Sequence, residues 1–402
     1  VKVAEGVRFR PPRVPPGPEL DFVLARAFGP TVVRPFGPLE PAAILGLARA
    51  LDLEARIGAR HPADRLVADT DPRTAEAFAR ASREAVANQL QLQAVARDVA
   101  RVAADLGLPL VLLKFAALAA SGAVSRGARR ASDLDVLVDP ARATLLRRTL
   151  LSQGYADSDL RAQEQELSAL RHPSGRPVEI HRLMLGVRLQ GRGSATVPGL
   201  AEQGLLVSAP DLPGEVFVPR GDVCMAHAVV HGIAQHGGGD YPFLRVVGDV
   251  IDLGGAAAPQ PLPAWIAADV SPQEWEATLA LARSLAAGRG LALLGRICPP
   301  EGLLLRHVVA AATDLEYRRA LKLLAIRRPL TDRPRGLARA LTLARGLWLT
   351  ATEIDAVYGR PGSRLGYLAR RMARPFDLAG RALRAFRGQL AVRRRQEEAP
   401  PE

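Results

Sequence analysis

Residues 110–140 read LVLLKFAALAASGAVSRGARRASDLDVLVDP, and the fold turns on how this stretch is read. Val136, Leu137 and Val138 make a short apolar, β-branched run, the mark of a buried strand. Side chains alternate between the two faces of a strand, so Asp133 and Asp135 project together while Leu134 turns into the core. Two carboxylates on one face repel each other unless a cation lies between them. A hard, oxygen-seeking ion such as Mg²⁺ fits, and it commonly arrives with substrate phosphates. Just upstream, Leu110 to Lys114 predicts a first strand and Ala116 to Ala120 a short helix of small residues. Ser121 to Ser132 predicts a Gly- and Arg-rich loop whose backbone N–H groups and guanidinium forks suit phosphate oxygens. An Asp-x-Asp pair alone is weak evidence, because two surface carboxylates beside a turn are common.

Outward from this centre, both flanks carry regular patterns. Asp71-Pro72 predicts a helix entry. Phe78, Ala81, Ala85, Leu92, Val95, Val99, Val102 and Leu106 then fall on one face of a long amphipathic helix, interrupted only by Asn88. Gly107 and Pro109 end it and deliver the chain into the first strand. On the other side, Pro140 to Gln153 predicts a helix stopped by Gly154. A hairpin follows, with arms Leu167–Arg171 and Pro177–Leu183 around the turn His172-Pro173-Ser174-Gly175-Arg176. Its second arm carries Glu179 and His181 on one face. Leu205 to Val218 reads as further short extended pieces.

The termini differ in character. Residues 1–20 are rich in Pro and Arg, and Phe22 to Leu53 alternates helical patches with Gly-Pro breaks. From Gly221 onward the chain reads as mostly helical, over Asp222–Gln235, Phe243–Leu253, Pro272–Ala287, Gly302–Leu315 and Leu337–Val357. Arg364 to Arg395 is a basic amphipathic stretch broken at Pro375. It either docks on the body of the protein or makes weak contact with an anionic membrane surface.

Composition bounds the function. A chain of 402 residues with 48% hydrophobic content has ample core for two or three domains. No apolar run is long enough to span a bilayer, the N-terminal stretch lacks the apolar core of a signal peptide, and the two cysteines are far apart. The expectation is a cytoplasmic protein. A net charge of +13 permits anionic partners, but aromatics at 4% and the absence of a recognition motif argue against nucleic acid.

With these pieces in place, the chain resembles a poorly characterised bacterial group within the polymerase β-type nucleotidyltransferase superfamily. The resemblance rests on Leu113-Lys114-Phe115-Ala116-Ala117, Arg129, Asp133-Leu134-Asp135-Val136-Leu137-Val138 and Val178-Glu179-Ile180-His181, in that order. Gly154-Tyr155, Ala226-His227 through His231 and Val247–Asp252 extend it, so that it covers about Thr74 to Leu253. It implies an α+β fold with a small mixed-sheet nucleotidyltransferase core over 71–220. A helical N-terminal region (1–70), a mostly α domain (221–360) and the basic tail (361–402) surround that core.

The resemblance also implies the chemistry. Asp133, Asp135 and Glu179 would hold Mg²⁺ or Mn²⁺, with Lys114, Arg129, Ser132 and His181 on the nucleotide side and Arg126 or Arg130 as helpers. An NTP, with ATP favoured, would donate its nucleotidyl group to a small-molecule, peptide or protein hydroxyl and release pyrophosphate. Phe115 departs from the pattern, standing where the family has a glycine that lets backbone approach the triphosphate. A second register, Gly122 to Gly127 ahead of Ser132-Asp133, imitates the Gly-Ser loop of other members with Ala123 in place of the serine. Both departures leave room for a degenerate nucleotide-binding or scaffold protein. Cys224, His227 and His231 share a helix face at metal-like spacing, but their apolar neighbours favour packing over zinc. Asp249 and Asp252 are expected to cap or pair within the helical part, or to line the acceptor cleft.

Overall fold

The computed structural model describes residues 17–30, 39–157, 166–189, 193–235, 243–255 and 272–288, with isolated positions and short pieces at 264, 270, 308–310, 313, 363, 365–366 and 368–373. The predicted helix Leu337–Val357 lies outside the described residues, as does most of Gly302–Leu315 and of the basic tail.

The chain opens with four helices, α1 (Pro18–Phe28), α2 (Pro41–Leu51), α3 (Glu54–Arg60) and α4 (Ala63–Asp69). Next comes the long helix α5 (Pro72–Asp105). Its start follows from the sequence: Pro72 occupies the first turn, and the Asp71 carboxylate accepts hydrogen bonds from the backbone N–H groups of Arg73 (2.8 Å) and Thr74 (3.2 Å). The apolar stripe of α5 is buried from Phe78 to Val102. Gly58 lets α3 lie directly on α5, where a Cβ would come within 2.1 Å of the Phe78 carbonyl oxygen.

Strand β1 (Leu110–Leu112) runs into helix α6 (Lys114–Ala120), so Lys114 opens the helix rather than ending the strand. After the loop come β2 (Leu134–Leu137), α7 (Ala143–Ser152), β3 (Ala156–Asp157), β4 (Leu170–Arg171) and β5 (Pro177–His181). A small hairpin, β6 (Met184–Leu189) with β7 (Gly193–Ala195), and helix α8 (Val197–Glu202) were not legible in the sequence. The chain then continues through β8 (Leu206–Ser208), β9 (Val216–Pro219) and α9 (Gly221–Val230), which is prolonged by a π-helical turn at His231–Gln235. Helices α10 (Phe243–Asp252) and α11 (Pro272–Ala286) follow.

Seven strands form one mixed sheet in the order β3-β4-β5-β2-β1-β9-β8. β2 pairs parallel with β5 and antiparallel with β1, and β1 pairs parallel with β9. The α+β class expected from the sequence is the one observed. One sheet face packs on α5, α6 and α7 through residues such as Leu112, Val136, Ile180, Val99 and Leu146. The opposite face packs on β6, β7 and α8 through Val111, Leu137, Val187 and Leu200. A third core unites α1–α4 and the start of α5 with α9, α10 and α11 around Phe22, Phe78, Phe243 and Trp275. Sequence-distant helical segments thus share one apolar interior beside the sheet. Among the described residues, no helix is long and apolar enough to cross a membrane.

Candidate active site

The parallel pairing of β2 with β5 sets Asp135 opposite Glu179 and Leu137 opposite His181. With side chains alternating along each strand, Asp135, Glu179 and His181 converge on one face. Their ligand atoms lie within 4.8 Å of one another. Lys114 Nζ donates to Asp135 Oδ1 at 2.6 Å and stands 3.8 Å from Glu179 Oε2. His181 Nε2 donates to the same Asp135 oxygen at 2.9 Å, while its Nδ1 faces Glu166 Oε2 at 3.5 Å. Glu166 arrives on an isolated bridge to His181 and is buried. No sequence motif marked it, because nothing in its local pattern distinguishes it from a surface carboxylate.

Electrostatics make this cluster nearly self-neutral. Burial acts to raise Asp135, but Lys114 and His181 outweigh it and hold its carboxyl well below the usual carboxylate range. Burial and the adjacent Asp135 charge push Glu179 up to about 8, so it carries a proton near neutral pH. Burial disfavours the Lys114 charge, yet Asp135 and Glu179 outweigh it and raise the ammonium's pKa. Asp133 sits half-buried just before β2, outside the converging group of three. Burial and the Asp135 charge raise its carboxyl, and the Ser132 side chain hydrogen-bonds to it.

Arg129 is placed differently from a free phosphate contact. It is buried, ion-paired with Asp249 of α10, and its guanidinium carbon lies 4.7 Å from the Phe115 ring centroid. This stacking gives Phe115 a structural role. The left-handed residue of the turn is Lys114, with φ 47°, whereas Phe115 sits inside α6 with its ring buried. Of the helpers, Arg130 pairs with Glu84 and Arg126 is exposed.

The loop ahead of the Asp pair is clamped by α5. Asn88 Nδ2 donates to the Ala131 carbonyl (3.0 Å), and the Ala131 N–H donates to Asn88 Oδ1 (2.8 Å). Arg176 Nη1 reaches the same carbonyl at 2.8 Å, and the Gly127 N–H donates to Gln89 Oε1 at 3.3 Å. Gly127 has φ 79°, and a Cβ there would meet Ser82 Oγ at 2.7 Å.

Asp249 is buried on Arg129, and Asp252 accepts two hydrogen bonds from Arg56 at 2.6 and 2.8 Å. Cys224 donates to the Pro219 carbonyl at 3.2 Å, and burial pushes its thiol up to about 12. Among the described residues, Cys224, His227 and His231 form no metal-ligating group.

The donor set Asp135, Glu179 and His181 fits a divalent cation. Two carboxylates supply hard oxygens suited to Mg²⁺ or Mn²⁺, and the imidazole nitrogen is tolerated better by Mn²⁺. The class of arrangement is a mixed sheet that pairs carboxylates across two parallel strands. More narrowly, residues 38–289, over half of the chain, match the family model described as uncharacterised nucleotidyltransferase, and the chain belongs to that family. Membership implies a nucleoside triphosphate as substrate. No curated protein and no solved structure matches the chain.

Proposed function

We propose that the protein transfers a nucleotidyl group, with AMP from ATP favoured, to a hydroxyl of a small molecule, peptide or protein in the cytoplasm. The observation that supports this best is the convergence of Asp135, Glu179 and Lys114 where β2, β5 and the start of α6 meet. In the reaction the acceptor oxygen bonds to the α-phosphorus, the α–β anhydride bond breaks and pyrophosphate leaves. Mg²⁺ or Mn²⁺ held by Asp135 and Glu179, with Asp133 alongside, would supply charge stabilisation for the in-line displacement. Glu179 in its ionised form takes the proton of the attacking hydroxyl. His181, bonded to Asp135 at 2.9 Å, fixes that carboxylate's orientation. Lys114 pairs with the carboxylates and lies near enough to neutralise phosphate oxygens instead, as this chemistry requires. Ser132 orients Asp133.

Nucleotide binding without transfer is the second reading, and one observation favours it: Arg129 is already engaged by Asp249 and Phe115. Calorimetry across the four NTPs with Mg²⁺, paired with a pyrophosphate-release assay, separates the two. Transfer predicts metal-dependent binding and acceptor-dependent pyrophosphate release, both abolished in Asp135→Asn. Binding without release in any acceptor pool would leave the second reading standing.

A further inference from the structure

Beside the acidic cluster, α6, β9, α9 and α10 border a partly open cleft. Leu118, Pro219, Ala228 and Val246 give it apolar walls, and its most deeply buried polar lining is His227. The ring of His231 lies 6.2 Å, centroid to centroid, from that of His227, which is 5% exposed. Burial, reinforced by the Lys114 and His181 charges, holds the pKa of His227 down to about 3, so the ring is neutral and offers one donor and one acceptor.

We propose that this cleft seats the nucleobase of the donor nucleotide and that His227 hydrogen-bonds to the base and sets which nucleotide is accepted. The inference rests on the nucleotidyl-transfer reading and adds the specificity element to it. Three features select a base over a phosphate or a charged acceptor. The apolar walls suit the faces of a flat, uncharged ring. The neutral donor–acceptor imidazole suits a heteroaromatic edge. Of the cations bordering the cleft, Arg129 is held by Asp249, while Lys114 faces the carboxylates, where the phosphates would lie. Lys114 borders the cleft and also touches Asp135, so a base seated there leaves its ribose and α-phosphate within a lysine's reach of the carboxylates.

The test is Mn²⁺-supported calorimetry on the full chain with the four NTPs and with inorganic tripolyphosphate, which has the phosphates and no base. The wild type is expected to bind one NTP at least about tenfold more tightly than tripolyphosphate, the contribution of one good hydrogen bond with its desolvated surroundings. His227→Ala is expected to erase that margin and leave tripolyphosphate affinity unchanged. His227→Gln keeps the volume and hydrogen-bonding capacity should the alanine variant fail to fold, and it is expected to reorder preference among the NTPs. Unchanged NTP affinity and preference in both variants would overturn the proposal and hand the cleft to the acceptor. Equal wild-type affinity for all NTPs and tripolyphosphate would overturn the base pocket while sparing the transferase reading. Failure to bind either kind of ligand would overturn both.

Discussion

Lys114 holds two unusual positions at once. Its backbone lies in the left-handed region, at φ 47°, a conformation that costs a non-glycine residue of order 1–3 kcal/mol. Its ammonium is 2.6 Å from the carboxylate best placed to hold a divalent cation. The lysine is therefore a resident counter-ion that a metal must displace or sit beside. Lys114→Met should raise Mn²⁺ affinity in the absence of nucleotide by about tenfold, a modest fraction of the repulsion between neighbouring unit charges. The same change should weaken binding of tripolyphosphate. Titration of free Mn²⁺ by electron paramagnetic resonance measures the first effect, and an unchanged affinity would place lysine and ion apart. Glu179 carries a second residue-scale consequence. Its folded pKa, about 8, lies above the ordinary glutamate value of 4.5, so the folded state holds a proton that the unfolded state has released between those two values. The stability associated with that proton is complete below the unfolded pKa and is lost as pH rises through the folded one. Chemical denaturation from pH 5 to 8.5 should show wild-type stability falling with pH, by at most about 1.4 kcal/mol per unit from this group, and a flatter profile for Glu179→Gln.

At the scale of elements, α5 holds the loop that introduces the Asp pair. Asn88 satisfies both backbone groups of Ala131, and Arg176 shares only the carbonyl. Asn88→Ala therefore strands the Ala131 N–H, at an expected cost of about 1–2 kcal/mol in urea denaturation. A weakened NTP affinity should accompany it. Loss of stability with full nucleotide affinity would show that the loop keeps its shape without the clamp. In the sequence, Asn88 is visible only as a gap in an apolar stripe, because periodicity reports burial and is blind to what a polar exception bonds. The same limit separates what could be read from what could not. That Glu179 and His181 share a face was readable, since the two-residue period fixes it within one strand; that this face meets Asp135 came only from the family resemblance, because the period does not set how two strands pair. The α5 entry was readable because Asp71-Pro72 carries its own capping chemistry. Glu166, by contrast, joins the cluster through an isolated bridge with no pattern around it. Phe115 reads as a lost glycine, and only its contact with Arg129 reveals a platform. Helices α3 and α4, seven residues each, are too short for a stripe to emerge.

Across the whole molecule, α10 is the element to which the distant parts are tied. Asp249 pairs with Arg129 of the active-site loop, and three residues on Asp252 pairs with Arg56 of α3. Arg56 also bonds to the Ala27 carbonyl at 3.0 Å and lies over the Phe28 ring, so this one guanidinium joins α1, α3 and α10. No local pattern announces such a contact, whose partners are 196 positions apart in the chain. Both side chains are largely buried, at 8% and 15% exposure, so the pair is screened little by solvent. Removing one partner leaves the other charge desolvated and unpaired, which is the costly way to break a buried ion pair. Asp252→Ala should therefore lose about 3–5 kcal/mol of stability, whereas Arg56→Met combined with Asp252→Leu should recover much of that loss. The core shared by α1–α4 and α9–α11 adds a condition on the shape of the transition. The N-terminal helices and α10 should unfold together in the wild type and in both variants, in a single step followed by tryptophan fluorescence and by hydrogen exchange in α1. Early release of α1 in Asp252→Ala, ahead of the change in tryptophan fluorescence, would mean that the ion pair, rather than the shared apolar interior, holds α1 and α3 to α10.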